Sequence, residues 1–295
     1  MTKVLVLGSG GQLGVELVRE AGTAGLAVTA LSRSALDITN AEAVEEKVAA
    51  ADPDVVINSA AYNMVDVAEE EPLAAYQVNA LAVRNIAMAC RHVDARLVHF
   101  STDYVFDGTA GRAYTEADLV HPLGAYAVSK LAGEHYALAY LDRALVIRVS
   151  GVFGPAGART ARSNFVELML RLAAGGKDIR VVEDHVASPS YAPAIASRTF
   201  QALKLGVTGV LHMGGGRAIS WYQWAKMIFE KAGLNPPLKA TDEREYRTAA
   251  RRPKFSALEN TRMRELEIDA MPPLEEALAS YFERRPQFVQ DFSAK

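Results

Sequence analysis

The chain opens with Lys3-Val-Leu-Val-Leu7, turns through Gly8-Ser-Gly-Gly-Gln-Leu-Gly14 and continues as Val15-Glu-Leu-Val-Arg-Glu-Ala21. The first run is short, apolar and rich in branched residues. It predicts a strand buried on both faces, as in a parallel sheet. The last run has helical periodicity. Strand, glycine turn and helix in that order is the setting in which a dinucleotide-binding turn works. Glycines at 8, 11 and 14 permit a tight turn, close approach of the backbone to a pyrophosphate, and tight contact between helix and strand. The helix N-terminus adds N–H donors and the positive end of its dipole. A purely structural turn is the alternative. The position directly after the first strand favours cofactor binding.

Leu26 to Leu31 predicts the second strand. At this point an NAD site carries an acid for the ribose hydroxyls, whereas an arginine accommodates a 2′-phosphate. Here the strand ends in Ser32-Arg33 with no acid. That predicts NADPH, with NADH as second choice, unless Arg33 is only a solvated loop charge. Asp37-Ile38 either hold the adenine or Asp37 caps the helix that starts near Asn40. A helix over Ala41 to Ala50 leads to a strand over Asp54 to Asn58. The small residues of Asn58-Ser-Ala-Ala61 let a flat cofactor lie against the backbone, or let a helix pack closely. Pro72 to Arg91 has the spacing of one helix. Asn79 lies among its apolar residues, so it needs partners and is expected to brace the neighbouring strand.

Ala95 to Phe100 predicts the next strand, which ends in Ser101-Thr-Asp-Tyr-Val-Phe106. In open α/β sheets ligands lie beyond the carboxyl ends of strands. Hydroxyls there bind a substrate oxygen or merely cap a loop. Further on stands Tyr126-Ala-Val-Ser-Lys130. Positions i and i+4 share one helix face, so phenol and ammonium address one small volume. A phenol holds its proton to about pH 10. A nearby positive charge lowers that value, and a phenol so tuned exchanges a proton with a carbonyl or alcohol near neutral pH. Alone, the pair reads as an ordinary helix surface. The stretches at Gly8, Asn58 and Ser101 give it weight. The chain between Thr102 and Tyr126 accommodates a loop and the start of a helix, which lets Thr102 face the Tyr126 hydroxyl.

After the strand Ala144 to Val149 the regular alternation is lost. Helices are expected over Ser163 to Ala174, Pro193 to Leu205, Trp221 to Ala232 (capped by Ser220) and Pro273 to Arg284. Short strands are expected at Ile179 to Val182 and Val210 to Met213. With 295 residues, half of them hydrophobic, the core needs no staples. A net charge of -3 gives no reason to expect nucleic acid or a membrane surface as partner. The single cysteine, Cys90, excludes an internal disulfide framework. The opening apolar run is too short for a signal or a membrane span. These features describe a cytoplasmic protein.

Taken together, these stretches resemble the extended short-chain dehydrogenase/reductase superfamily and, within it, the dTDP-4-dehydrorhamnose reductase family. The resemblance is carried by Gly8 to Gly14, Asp37-Ile38, Asn58 to Ala61, Val65-Asp66 with Ala68-Glu69, Ser101 to Phe106, Tyr126 to Glu134, and Arg252-Pro253 with Ser256. It runs nearly the whole length. It implies an α/β fold, a Rossmann doubly wound parallel sheet with a smaller C-terminal substrate lobe. Residues 1–150 would form the NAD(P)-binding domain. Residues 151–295 would mainly bind substrate, with a segment near 187–216 crossing back. The implied activity is hydride transfer from NADPH to C4 of a dTDP-4-keto-6-deoxy sugar, giving dTDP-L-rhamnose. Tyr126 would donate the proton. Lys130 would lower its pKa and hold the nicotinamide ribose. Thr102 would bond the keto oxygen and Asp103 would touch the sugar. Gly11, Gln12, Leu13, Asp37, Ile38, Ala60, Ala61 and Tyr62 would line the cofactor.

Two positions depart from the family pattern. Where many members carry a tryptophan after the serine that ends a strand, this chain has Ser150-Gly151, which predicts a roomier sugar site or a wall from elsewhere. Some members bridge a dimer by magnesium held between glutamates. Glu16 matches one such position, but Pro193 stands where another would be. A homodimer is therefore expected, if at all, without that metal interface, and no metal site is expected. A regulatory subunit like that of methionine adenosyltransferase, which binds NADP without turnover, shares the resemblance. So does a nucleotide-sugar epimerase or dehydratase.

Overall fold

In β1 (Lys3–Leu7) alternate side chains point to opposite faces. Val4 and Val6 enter one hydrophobic core, Leu5 and Leu7 another. The same division recurs along the sheet, with Ile57, Val98 and Ile147 on the first side and Val56, Leu97 and Val146 on the second. A sheet apolar on both faces must be covered on both. The computed structural model describes residues 1–160 and 163–286. In it β1 is followed by α1 (Gln12–Thr23), β2 (Ala27–Leu31), α2 (Ala41–Ala51) and β3 (Val55–Asn58). Then come α3 (Val67–Glu70), α4 (Pro72–Tyr76), α5 (Ala82–His92), β4 (Arg96–Thr102), α6 (Ala125–Tyr140) and β5 (Leu145–Val149).

The later elements are α7 (Phe165–Ala174), β6 (Ile179–Val182), β7 (Val186–Ala187), α8 (Ala192–Lys204), β8 (Gly209–His212) and β9 (Ile219–Ser220). After these come α9 (Trp221–Ala232), β10 (Leu238–Thr241), α10 (Thr261–Glu265) and α11 (Leu274–Arg284). The main sheet has the order β2-β1-β3-β4-β5-β8, and every adjacent pair is parallel. This is a Rossmann-like doubly wound sheet. The order reverses between β1 and β3, which opens a crevice at their carboxyl ends. β8 brings a late segment back beside β5. Outside the sheet, β6 pairs with β10 and β7 with β9. Among the described residues, no helix is long and apolar enough to cross a membrane.

Three local expectations are revised. The single helix over Pro72 to Arg91 is interrupted by a π-helical turn at Gln77–Leu81. Asn79 lies in that turn, and its amide accepts from the Tyr62 N–H (2.8 Å) and donates to the Tyr62 carbonyl (2.9 Å) and to Ser129 Oγ (3.0 Å). It braces the loop after β3 against α6, rather than a strand. The cap of α2 is Asn40, which accepts from the Ala43 N–H, whereas Asp37 closes a turn onto Thr39. Helix α7 starts two residues later than expected, with Asn164 accepting from the Glu167 N–H.

The end of the described chain is fastened by charge. Glu16 of α1 is fully buried and accepts from Arg284 at 2.8 and 2.9 Å and from Arg19 at 2.8 Å. Glu167 of α7 accepts from Arg285 and from the Tyr281 hydroxyl. Helix α11 thus holds α1 and α7 at once.

Candidate active site

The glycine turn lies hard against the β3 loop. Gly8 has φ +76°, and a Cβ there would fall 2.6 Å from the Ala60 nitrogen. A Cβ on Gly14 would fall 2.3 Å from the Gly8 carbonyl oxygen. Only hydrogen fits at either place. Gly11 begins α1 without a side-chain cap, so the first N–H groups of the helix have no side-chain partner. Such a cradle suits a pyrophosphate. The Gln12 side chain is engaged elsewhere, donating to the Val152 carbonyl and accepting from Asn164, and Leu13 is buried in the core. Both serve the turn through their backbone. Ser32 bonds to Ser34. Arg33 is exposed in the turn after β2 and forms no salt bridge among the described residues. Its charge and the two Thr39 bonds, the latter the larger cause, hold the Asp37 carboxyl below the usual range. The Ile38 side chain lies in the core, not at the surface. Ala60, Ala61 and Tyr62 are half-buried, with Tyr62 fixed by Asn79. The residues present fit a dinucleotide, and Arg33 is the exposed cation in the turn after β2.

Thr102 ends β4, while Tyr126 and Lys130 stand on α6, and all three are buried. Thr102 lies beside Tyr126, and Lys130 stands one turn further along the same helix. The Tyr126 hydroxyl donates to Asn63 Oδ1 (3.4 Å) and lies beside the Thr102 hydroxyl, whose hydrogen goes to Asp103. The Tyr104 ring meets Tyr126 edge-on, 6.2 Å between centres. Burial pushes the phenol up, the Asp103 and Tyr104 charges add to this, and Thr102 opposes it. The expected lowering by Lys130 is not seen. Its ammonium donates to the Phe100 carbonyl at 2.5 Å, and burial pushes it down to about 8, with Glu134 opposing. Glu134, one turn further along, is held by both arms of the buried Arg148 guanidinium (2.9 and 2.7 Å).

Asp103 does not face the open site. Its carboxylate accepts from Thr102, Ser150 and Ser256 in the interior, and burial raises it to about 6. Gly151 does not leave an open space either. It has φ +46°, and a Cβ there would meet the Trp221 ring at 3.0 Å. The expected roominess is corrected: Trp221, packed on Phe165 at 4.7 Å, supplies an aromatic wall from the start of α9.

Beyond Asn63 and Tyr104 opens a cavity of about 1130 Å³. Phe165, Leu168, Leu172 and Trp221 give it an apolar side. Arg171, Arg247 and Arg251 also line it and form no salt bridge among the described residues. Arg252 grips Asp66 with two nitrogens (3.0 and 2.7 Å), tying the 244–254 loop to the loop after β3. A space with apolar walls and unneutralised guanidinium groups suits an anionic ligand with a ring. Asn63, Trp221 and these arginines were missed in the sequence, because no fixed spacing marks them. Among the described residues, no group of His, Cys, Asp and Glu is placed to hold a metal ion, and Glu16 faces arginines.

Comparison with known proteins bears on the same arrangement. Residues 1–286 match the RmlD substrate binding domain family. The chain is 36% identical over 285 residues to the spore coat polysaccharide biosynthesis protein SpsK of Bacillus subtilis, covering 97% of this chain and 98% of that one. It is 40% identical to the dTDP-4-dehydrorhamnose reductase of Mycobacterium tuberculosis, covering 87% and 84%. The solved structure of dTDP-4-dehydrorhamnose reductase from Bacillus anthracis in complex with NADP superposes with a TM-score of 0.91 at 33% identity, covering 96% of this chain and all of that one. With its glycine cradle, its Thr-Tyr-Lys set and these relatives, the chain belongs to the dTDP-4-dehydrorhamnose reductase family of extended short-chain dehydrogenases/reductases.

Proposed function

We propose that the protein is an NADPH-dependent oxidoreductase that reduces the 4-keto group of a dTDP-4-keto-6-deoxy sugar, converting dTDP-4-dehydrorhamnose to dTDP-L-rhamnose. The observation that carries this reading is Tyr126, set beside Thr102 with Lys130 one helical turn along, in contact with Asn63 and Tyr104, which line the arginine-bearing cavity. Gly8 to Gly14, Ser32, Arg33 and Ala60 to Tyr62 hold the cofactor. When bound, NADPH supplies the hydride. Reduction leaves charge on the keto oxygen, and Tyr126 donates the proton that neutralises it. Lys130, one helical turn from Tyr126 and fixed on the Phe100 carbonyl, offers its positive charge to the ribose. Arg171, Arg247 and Arg251 offer their charge to the diphosphate, and Trp221 walls the sugar. The buried, hydrogen-bonded site holds these groups in place before reaction.

The test follows NADPH absorbance in single turnover with a dTDP-4-keto sugar. Tyr126→Phe keeps the ring and removes the hydroxyl. It is expected to bind NADPH nearly as the parent does and to lose roughly 10²-fold or more in turnover, the usual scale for a general acid. Lys130→Met weakens both turnover and cofactor binding, and Thr102→Val costs less turnover than Tyr126→Phe. No net consumption of NADPH by the parent would instead indicate an epimerase, a dehydratase or a regulatory NADP-binding subunit.

A further inference from the structure

The Asp103 carboxylate is 3% exposed and surrounded by hydroxyls. One oxygen accepts from Ser150 Oγ at 2.7 Å and from Ser256 Oγ at 2.5 Å, and the other accepts from Thr102 Oγ at 3.2 Å. Ser150 Oγ also receives the Ser188 N–H, so its own hydrogen is free to point at Asp103. Thr102 Oγ receives the Tyr104 N–H at 3.2 Å and is the neighbour of the Tyr126 phenol. A threonine hydroxyl has one hydrogen and two acceptor positions. While that hydrogen is on Asp103, Thr102 has none to give to Tyr126, whose own hydrogen goes to Asn63 Oδ1.

We propose that Asp103 is a positioning residue that holds the Thr102 hydroxyl hydrogen away from Tyr126 before proton transfer and releases it to the phenolate afterwards. The proposal rests on the reading of Tyr126 as proton donor. The proton itself passes from the phenol oxygen to the substrate oxygen. At Thr102 no bond breaks, and its O–H turns from carboxylate to phenolate. Ser150 and Ser256 remain on Asp103 and keep the buried carboxylate satisfied as Thr102 leaves it. Removing Asp103 therefore takes away the control of direction, not a contact with substrate.

The experiment measures single-turnover hydride transfer, KM for the keto sugar, the NADPH dissociation constant and the thermal midpoint. It compares the parent with Asp103→Asn, Thr102→Val, Thr102→Ser, the double variant Asp103→Asn/Thr102→Val, and Tyr126→Phe. Asp103→Asn is expected to slow hydride transfer by about tenfold, the scale of one charged hydrogen bond. KM and NADPH binding should stay within about twofold, and the double variant should be no slower than Thr102→Val alone, because the two residues act in one chain. Thr102→Ser keeps the hydroxyl and should recover most of the rate that Thr102→Val loses. Multiplying losses in the double variant, a loss confined to KM, or Thr102→Ser as slow as Thr102→Val would each overturn the proposal. A Tyr126→Phe variant at the parent rate would overturn the underlying reading instead. Should Asp103→Asn fail to fold, the pair Ser150→Ala/Ser256→Ala replaces it. That pair leaves the carboxylate but removes the hydroxyls that satisfy it, and its slowing must disappear in the Thr102→Val background.

Discussion

The two sides of the site are built differently. The cofactor side is backbone against backbone: Gly8 touches the 59–60 turn, and Gly14 touches Gly8. The cavity side is side chain against side chain, drawn from the 63–66 loop, α7, the start of α9 and the 244–254 loop. Backbone contacts leave no room to adjust. A wall of long side chains can shift a rotamer and keep most of its function. The cofactor side should therefore fail abruptly, and the cavity side by degrees.

Gly14→Ala tests the abrupt side. Its methyl would press on the Gly8 carbonyl, and we expect NADPH binding to weaken about a hundredfold, in line with an overpacking cost of up to about 3 kcal/mol. Binding of the sugar nucleotide, measured by calorimetry, should change little. Parent-like NADPH affinity would break the comparison.

Lys130 lies at the seam. Its value falls from 10.5 to about 8 because the fold buries the ammonium. The folded state therefore binds this proton less tightly than the unfolded chain does. The resulting cost is complete below pH 8 and fades as pH rises toward 10.5, where both states are neutral. Lys130→Met should thus be more stable than the parent at pH 7, by about 2 kcal/mol after allowing for the lost bond to Phe100. The gain should vanish at alkaline pH in denaturant titrations. An equal gain at both ends would show that burial of the charge is not the cause.

Arg33→Ala should reduce the preference for NADPH over NADH by about tenfold, the scale of a charge-assisted hydrogen bond. Dissociation constants for the two cofactors decide it, and an unchanged ratio would leave Arg33 as a solvated charge. Arg252→Ala should have the smallest effect. Its pair with Asp66 is partly exposed, so we expect KM for the sugar nucleotide to rise only about fivefold, with NADPH affinity unchanged. A loss as steep as that of Gly14→Ala would erase the distinction between the two sides.

The same distinction explains what the sequence made legible. The sheet could be read because each strand is a contiguous apolar run, and the glycine cradle because its turn is local. Tyr126 and Lys130 could be read because one helix face fixes their spacing. Asn63 and Trp221 could not. Their roles depend on where distant loops meet, and a lone Trp after a capping serine looks like the start of any helix. Gly151 was noticed, but its meaning required the tryptophan that fills the space beside it. The Asp103 motif was visible, yet its direction was not: only the fold brings Ser150 and Ser256 to that carboxylate. Lys130 carried the right chemistry, but no pattern in the chain predicts the carbonyl that holds its ammonium.

The clasp of α11 on α1 and α7 has a consequence for biosynthesis. Arg284 is made 268 positions after Glu16. At roughly 5–20 residues per second, that carboxylate waits about a quarter of a minute to a minute for its partner. Until then the Arg19 bond within α1 meets that carboxylate, and the two bonds from Arg284 are missing. The arrival of residues 284 and 285 then fastens α1 and α7 together.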